Sequence, residues 1–306
     1  MKLWLLNNIK FGYKNNSKDW KKIQFDYFYN FFIPVIEKHY KKDDNIVITG
    51  NLFNSQDTVN TEILNECYNL LSKVSSISNI KFLVGQNDIP IINIFRPLNI
   101  EIINNIKVEE NVKYIPYNKI IMQSSLIDNK IIITSSDILQ NDLKLINNKI
   151  YCGYHDKKEI INNCYLLGTP FYFNENLKIN GITIVDLQNN KELFMENNIS
   201  PKFKELNINN NEDIENINES VINNNFVTLK IDKDFFNKNE LRVNMLISKY
   251  NFKKITFINE EKSTDDQYEN FNTIDELINK KIDDEELLEE YNNIKRIYNE
   301  SYNKNE

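Results

Sequence analysis

Few side chains in this chain of 306 residues are of a type that does covalent or metal chemistry. There are two histidines, His39 and His155, and three cysteines, Cys67, Cys152 and Cys164. His39 falls in a Lys-rich helix end. The cysteines lack metal-ligand spacing and have no identifiable base beside them, so a catalytic thiolate has no partner to form it. No nucleophile–base pair and no Gly-rich phosphate-cradling loop is visible. What remains is one imidazole, His155, in a loop, beside many carboxylates, donors of a kind that suit a divalent ion. Lys10, in a loop of the same sort, could instead hold a phosphate. Each has a plainer reading: a lone loop histidine is more often structural, and one lysine is a weak phosphate signal.

The elements that must position these loops follow from hydrophobic periodicity. Lys2–Leu6, Asn45–Thr49 and Ile80–Val84 read as buried strands. Between them, Trp20–Tyr40 carries Ile23, Tyr27, Phe28, Phe31, Phe32, Val35 and Ile36 at helical spacing, with Pro34 expected to kink or interrupt the helix. Thr58–Ser76 carries a second stripe: Ile63, Leu64, Cys67, Leu70, Leu71 and Val74. Strand–helix alternation implies a largely parallel sheet flanked by helices, with ligands at the carboxyl ends of its strands. Shorter strands at Val112–Ile115, Ile131–Thr134, Lys149–Cys152, Cys164–Leu167, Ile182–Asp186 and Glu192–Met195 read as a second, more antiparallel sheet packed on the first.

Asn-rich segments suggest a boundary near Ser200-Pro201. Beyond it, strands at Phe203–Ile208, Phe226–Ile231 and Lys254–Ile258, with helices at Asp213–Ile222 and Asn239–Tyr250, read as a small α/β unit. From about Lys262 the chain is acidic. Thr273-Ile274-Asp275-Glu276 is a capping box. It opens a helix with Ile274, Leu277, Ile278 and Ile282 on one stripe. A second stripe runs through Leu287, Leu288, Tyr291, Ile294, Ile297 and Tyr298. Two amphipathic helices of this kind pack back on a domain or bind a partner.

Composition removes several classes. No apolar run reaches 18 residues, so no membrane-spanning helix is expected. The first residues turn polar at Asn7-Asn8, too early for a signal peptide. With three cysteines and no disulfide framework, a reducing intracellular compartment is expected. The net charge of −7 argues against a broad basic surface for nucleic acid. There are 54 asparagines, 34 lysines beside 3 arginines, and no alanine, a bias an AT-rich genome would produce.

The strand-end loops are informative together. They read Leu6-Asn7-Asn8-Ile9-Lys10-Phe11-Gly12, Thr49-Gly50-Asn51-Leu52-Phe53-Asn54-Ser55, Val84-Gly85-Gln86-Asn87-Asp88, Thr134-Ser135-Ser136-Asp137, Gly153-Tyr154-His155-Asp156 and Leu167-Gly168-Thr169-Pro170. Their order and spacing resemble the calcineurin-like metallophosphoesterases, closest to the SbcD-type nuclease subunit in its bacteriophage forms. The resemblance implies an α/β fold of the metallophosphoesterase type. It would be a two-sheet sandwich over 1–200, with a small α/β capping domain over 201–261 and a C-terminal helical tail over 262–306. In that family, two divalent ions at the strand ends, held by Asp, His and Asn, activate a water that attacks a DNA phosphodiester.

Residue by residue, this chain departs from the pattern. The first-loop Asp and His fall on Asn8 and Lys10, and the bridging Asp falls on Asn51. The third-loop Asn and His fall on Gln86 and Asn87, with Asp88 kept. The isolated His falls on Ser135, with Asp137 two residues on. The last two His fall on Tyr154 and Asp156, with His155 between them. An ammonium about 4 Å from a divalent ion is repelled by roughly 8 kcal/mol at an effective dielectric of about 20, so Lys10 opposes a two-metal centre. Five of the six glycines (Gly12, Gly50, Gly85, Gly153 and Gly168) nonetheless fall at motif positions.

The resemblance therefore implies a pseudo-phosphoesterase, a non-catalytic subunit or scaffold in a viral DNA recombination, repair or replication complex. Its partner would be an SMC-like ATPase of the SbcC type, contacted through Ile274, Leu277, Ile278, Leu287, Leu288, Tyr291, Ile294 and Ile297. A homodimer and DNA bound through the complex are further expectations, with no cofactor and a place in the host cytoplasm. One alternative is a divergent nuclease using manganese or magnesium, with Asp88, Asp137, His155 and Asp156 as residual ligands. A virion or assembly protein that recruited the fold is another.

Overall fold

Alternation within the first strand sets the architecture. Leu3 and Leu5 leave the backbone on one side, Trp4 and Leu6 on the other, and all four are buried. A strand apolar on both faces must lie inside a layered α/β structure. The computed structural model describes residues 1–55, 57–89, 91–109, 111–117, 119, 131–137 and 148–258. Among these residues it is a mixed α/β structure with three sheets.

The first sheet has six strands. In spatial order they are β12 (Lys191–Glu196), β11 (Gly181–Asp186), β1 (Lys2–Asn7), β2 (Asn45–Thr49), β3 (Asn79–Leu83) and β4 (Ile100–Ile103). β1 to β4 are parallel; β11 adds to β1 antiparallel, and β12 to β11 antiparallel. The second sheet runs β5 (Lys107–Val108), β6 (Val112–Ile115), β7 (Ile131–Thr134), β8 (Ile150–Cys152), β10 (Cys164–Leu167) and β9 (Lys158–Ile161). The sheets share a core in which Leu3, Leu5, Val47 and Val185 of the first meet Tyr114, Ile133, Tyr151 and Leu167 of the second.

Two sequence expectations need correction here. Ile182–Asp186 and Glu192–Met195 belong to the first sheet, because β11 pairs along β1 from Lys2↔Asp186 to Leu5↔Thr183. The second sheet is parallel through its centre, from β6 to β10, and antiparallel only at its two edge pairs. Short apolar strands carry no mark of their direction; only pairing partners decide it.

Helices cover the outer face of the first sheet. α1 (Lys18–Tyr27) and α2 (Ile33–His39) are joined by a π-helical turn, Phe28–Phe32, in which the Ile33 N–H bonds to the Phe28 carbonyl. Pro34 has no N–H to continue the α-helical ladder, and the wider turn absorbs the misfit without ending the helix. α3 (Thr61–Ile77) begins at Asn60, whose side chain accepts the Glu62 N–H, and buries Ile63, Cys67, Leu70, Leu71 and Val74. The third sheet, β13 (Phe203–Ile208), β14 (Phe226–Asp232) and β15 (Lys254–Ile258), is parallel. Its helices are α4 (Asn211–Glu215), α5 (Glu219–Asn223) and α6 (Lys233–Lys249). α4 and α5 replace the single helix expected over Asp213–Ile222, because Asn218 caps a fresh start with its side chain on Ser220 N–H. Asn239 lies within α6, where its backbone leaves the helical region. Among the described residues, no helix is long and apolar enough to cross a membrane.

The two large sheets approach closely at Gly153, which follows β8. A methyl there would overlap the carbonyl and hydroxyl of Thr49 at the end of β2. Gly153→Ala should cost on the order of 3 kcal/mol by overpacking, measured by chemical denaturation.

Candidate functional site at the strand ends

The loops that follow β1, β2, β3, β7 and β8 meet at one end of the two sheets. Gly50 (φ +79°) turns sharply after β2, and a Cβ on it would lie 2.8 Å from the Ser135 Cβ and 3.3 Å from the Gly85 Cα. The first and second loops run side by side: Lys10 N–H donates to Asn51 O at 3.0 Å and Phe11 N–H to Leu52 O at 2.8 Å. Asn8, Lys10 and Asn51 have φ of 42°, 54° and 42°. Asparagine tolerates this left-handed region; lysine does so less readily.

A continuous chain of polar contacts fills the centre. The Asn87 backbone N–H donates to Asn51 Oδ1 at 3.4 Å, and Asn51 Nδ2 donates to Asn8 Oδ1 at 2.9 Å. Asn8 Nδ2 donates to the Tyr154 carbonyl at 2.8 Å and to Asp156 Oδ1 at 3.3 Å. Lys10 Nζ then closes on both Asp156 oxygens, at 2.6 and 2.7 Å. Asn8 is fully buried and Asn51 nearly so. Every amide in this chain has a fixed orientation, since a reversal would set acceptor against acceptor.

Asp88 works differently. Its Oδ1 accepts the N–H groups of Leu52 (2.9 Å) and Phe53 (3.3 Å), and its Oδ2 accepts that of Gly85 (3.0 Å). It ties the second loop to the third from the short 3₁₀ turn Gln86–Asp88. Burial outweighs these donors and pushes its carboxyl up to about 6. Ser135 donates its hydroxyl to the Val84 carbonyl at 2.7 Å, and Asn87 Nδ2 donates to the Phe53 and Asn54 carbonyls. Gln86 is half-buried at the edge. His155 Nε2 lies 2.9 Å from Asp137 Oδ1 in a partly exposed pair.

The structure thus brings together Asn8, Lys10, Asn51, Asn87, Tyr154 and Asp156 in one network. It does not gather Asp88, Asp137, His155 and Asp156 around one point. Among the described residues, no three Asp, Glu, His or Cys side chains are placed to share an ion. The only carboxylate in the central network already holds an ammonium. Cys67, Cys152 and Cys164 are buried. Burial pushes the Cys152 thiol up to about 12 and that of Cys164 up to about 11, so neither is a ready nucleophile. The eight apolar tail residues from Ile274 to Ile297 lie outside the described residues.

Sequence reasoning missed Gln24. This α1 side chain is fully buried, and its Nε2 donates to the carbonyls of Ile9 (2.7 Å) and Lys10 (3.0 Å), fixing the first loop from below. The available signal was a glutamine on the helix face that also carries Trp20 and Tyr27. No known family's sequence profile matches the chain, and no curated protein sequence matches it.

Two outcomes are expected. Asn8→Asp turns a donor into an acceptor facing Tyr154 O and Asp156. It should cost on the order of 2 kcal/mol at neutral pH, less as acid protonates the new carboxyl, and melting curves across pH would show this. Asp88 binds its proton more tightly folded than unfolded. Its contribution to stability is therefore largest below the ordinary carboxylate range and falls as pH rises through about 6. Wild type minus Asp88→Asn, measured by denaturation from pH 4 to 7, should fall by about 2 kcal/mol.

Proposed function

We propose that this chain is a degenerate metallophosphoesterase of the SbcD type that works as a non-catalytic subunit or scaffold beside an SMC-like ATPase in viral DNA recombination, repair or replication. Two facing mixed sheets, with loops of the expected order at one end, support that fold reading. The observation that carries the functional reading is the Lys10–Asp156 ion pair joined to the Asn8–Asn51 amide contact. A two-cation centre needs carboxylates to offset its charge and open lone pairs to complete its shell. Here the central amides donate and accept within the protein, and a fixed positive charge neutralises the carboxylate. The residues do not fit a pair of divalent ions.

The exposed His155–Asp137 pair favours a second reading, a divergent metal-dependent nuclease. One assay separates the two. Purified protein with manganese on single- and double-stranded DNA should show no turnover above background. Hydrolysis abolished by Asp137→Ala or Asp156→Ala would establish the nuclease instead. The partner reading predicts that the full chain captures an SMC-like ATPase from its source and that removal of 262–306 abolishes capture. Capsid or tail proteins in its place would favour an assembly role.

A further inference from the structure

The first loop continues into a second unusual feature, beside the strand-end network: Tyr13 and Lys10 both lie against the Phe173 ring. Lys14, Asn15 and Asn16 are three consecutive left-handed residues, with φ of 51°, 54° and 61°. Single left-handed residues are common at turns; a run of three, one of them lysine, is strained and calls for a reason. This run lays the Lys14 ammonium 5.9 Å from the ring centroids of both Tyr13 and Trp20. Trp20 in turn lies 5.4 Å from Phe226 of β14, and Lys253 Nζ sits 4.4 Å over that Phe226 ring. Two ammonium groups from distant parts of the sequence thus share one aromatic platform.

Neither lysine has a carboxylate within ion-pairing distance among the described residues, although the chain carries a net charge of −7. Burial, and after it the Lys14 ammonium, holds the Lys253 amine below the usual lysine range, with Asp19 acting the other way. Two ammonium groups held close, one of them on a strained loop, with no ion-paired carboxylate and only the longer-range charge of Asp19 opposing them, make a receptor for an anion.

We propose that the Lys14–Lys253 pair on the Tyr13–Trp20–Phe226 platform binds a phosphate group, as carried by a free phosphate compound or a nucleic-acid backbone. A tetrahedral oxyanion offers separate oxygens to both ammonium groups. The ring faces are already covered by lysine, so the charged group of the ligand is recognised here and not a base. The site shares no side chain with the Lys10–Asp156 network and does not depend on the function proposed for it.

Calorimetric titration of the full chain at low salt, with pyrophosphate in one arm and an eight-nucleotide thymidine strand in the other, tests this. Saturable binding of at least one probe is expected. Lys14→Gln and Lys253→Gln should each weaken it tenfold or more, and the double variant should abolish it. Lys230→Gln, which removes a lysine paired with Glu205, should leave it unchanged. The melting temperatures of the Lys14 and Lys253 variants should equal or exceed that of wild type, because repulsion is relieved. Pyrophosphate binding alone would identify a free phosphate compound as the ligand, and strand binding alone a nucleic-acid backbone. No saturable binding of either probe, or binding unchanged in the double variant, would overturn the proposal.

Discussion

The Lys10 ammonium rests 2.6 and 2.7 Å from the two oxygens of Asp156, and the buried amides of Asn8 and Asn51 run from that pair back to the third loop. Everything else at the strand ends is arranged around this contact. Asn8, Lys10 and Asn51 keep left-handed backbones that cost energy, and the amide contacts supply the compensation. A buried polar chain of this length is stabilising only if each donor and acceptor is met. Here the central groups of Asn8 and Asn51 are met by one another and by their neighbours.

Around that centre the loops are held by two devices of different kind. Gly50, Gly85 and Gly153 let backbones approach where a Cβ would collide. Asp88 gathers three backbone N–H groups from two loops although burial raises the cost of its charge. These devices shape the strand-end loops, the glycines by close approach and Asp88 by gathering backbone donors.

Much of this was legible in the sequence, for stated reasons. Strongly apolar strands such as Lys2–Asn7 and amphipathic helices such as Thr61–Ile77 have unambiguous periods. The glycines marked the loops because the chain has only six. Sheet membership was not legible: β11 and β12 follow second-sheet strands in the chain, and only the pairing of β11 with β1, and of β12 with β11, draws them to the first sheet. The partners of the site residues were hidden too. Asp156 reads as a ligand by type, and only the tertiary fold brings Lys10 onto it across 146 positions. Gln24 showed only its place on the helix face of Trp20 and Tyr27; its role appears once the carbonyls of Ile9 and Lys10 are placed against it.

The asparagine excess has a double character. A bias of 54 residues makes any one asparagine uninformative. Yet Asn8 and Asn51 are joined to each other in a buried hydrogen bond, which composition alone does not arrange. Whether that bond stands in place of metal ions is decided most directly by titrating manganese into the folded wild-type protein and following the heat. Absence of saturable uptake at the strand ends is the expected result. Two ions bound per chain, with affinity lost in Asn8→Ala and Asn51→Ala, would contradict it.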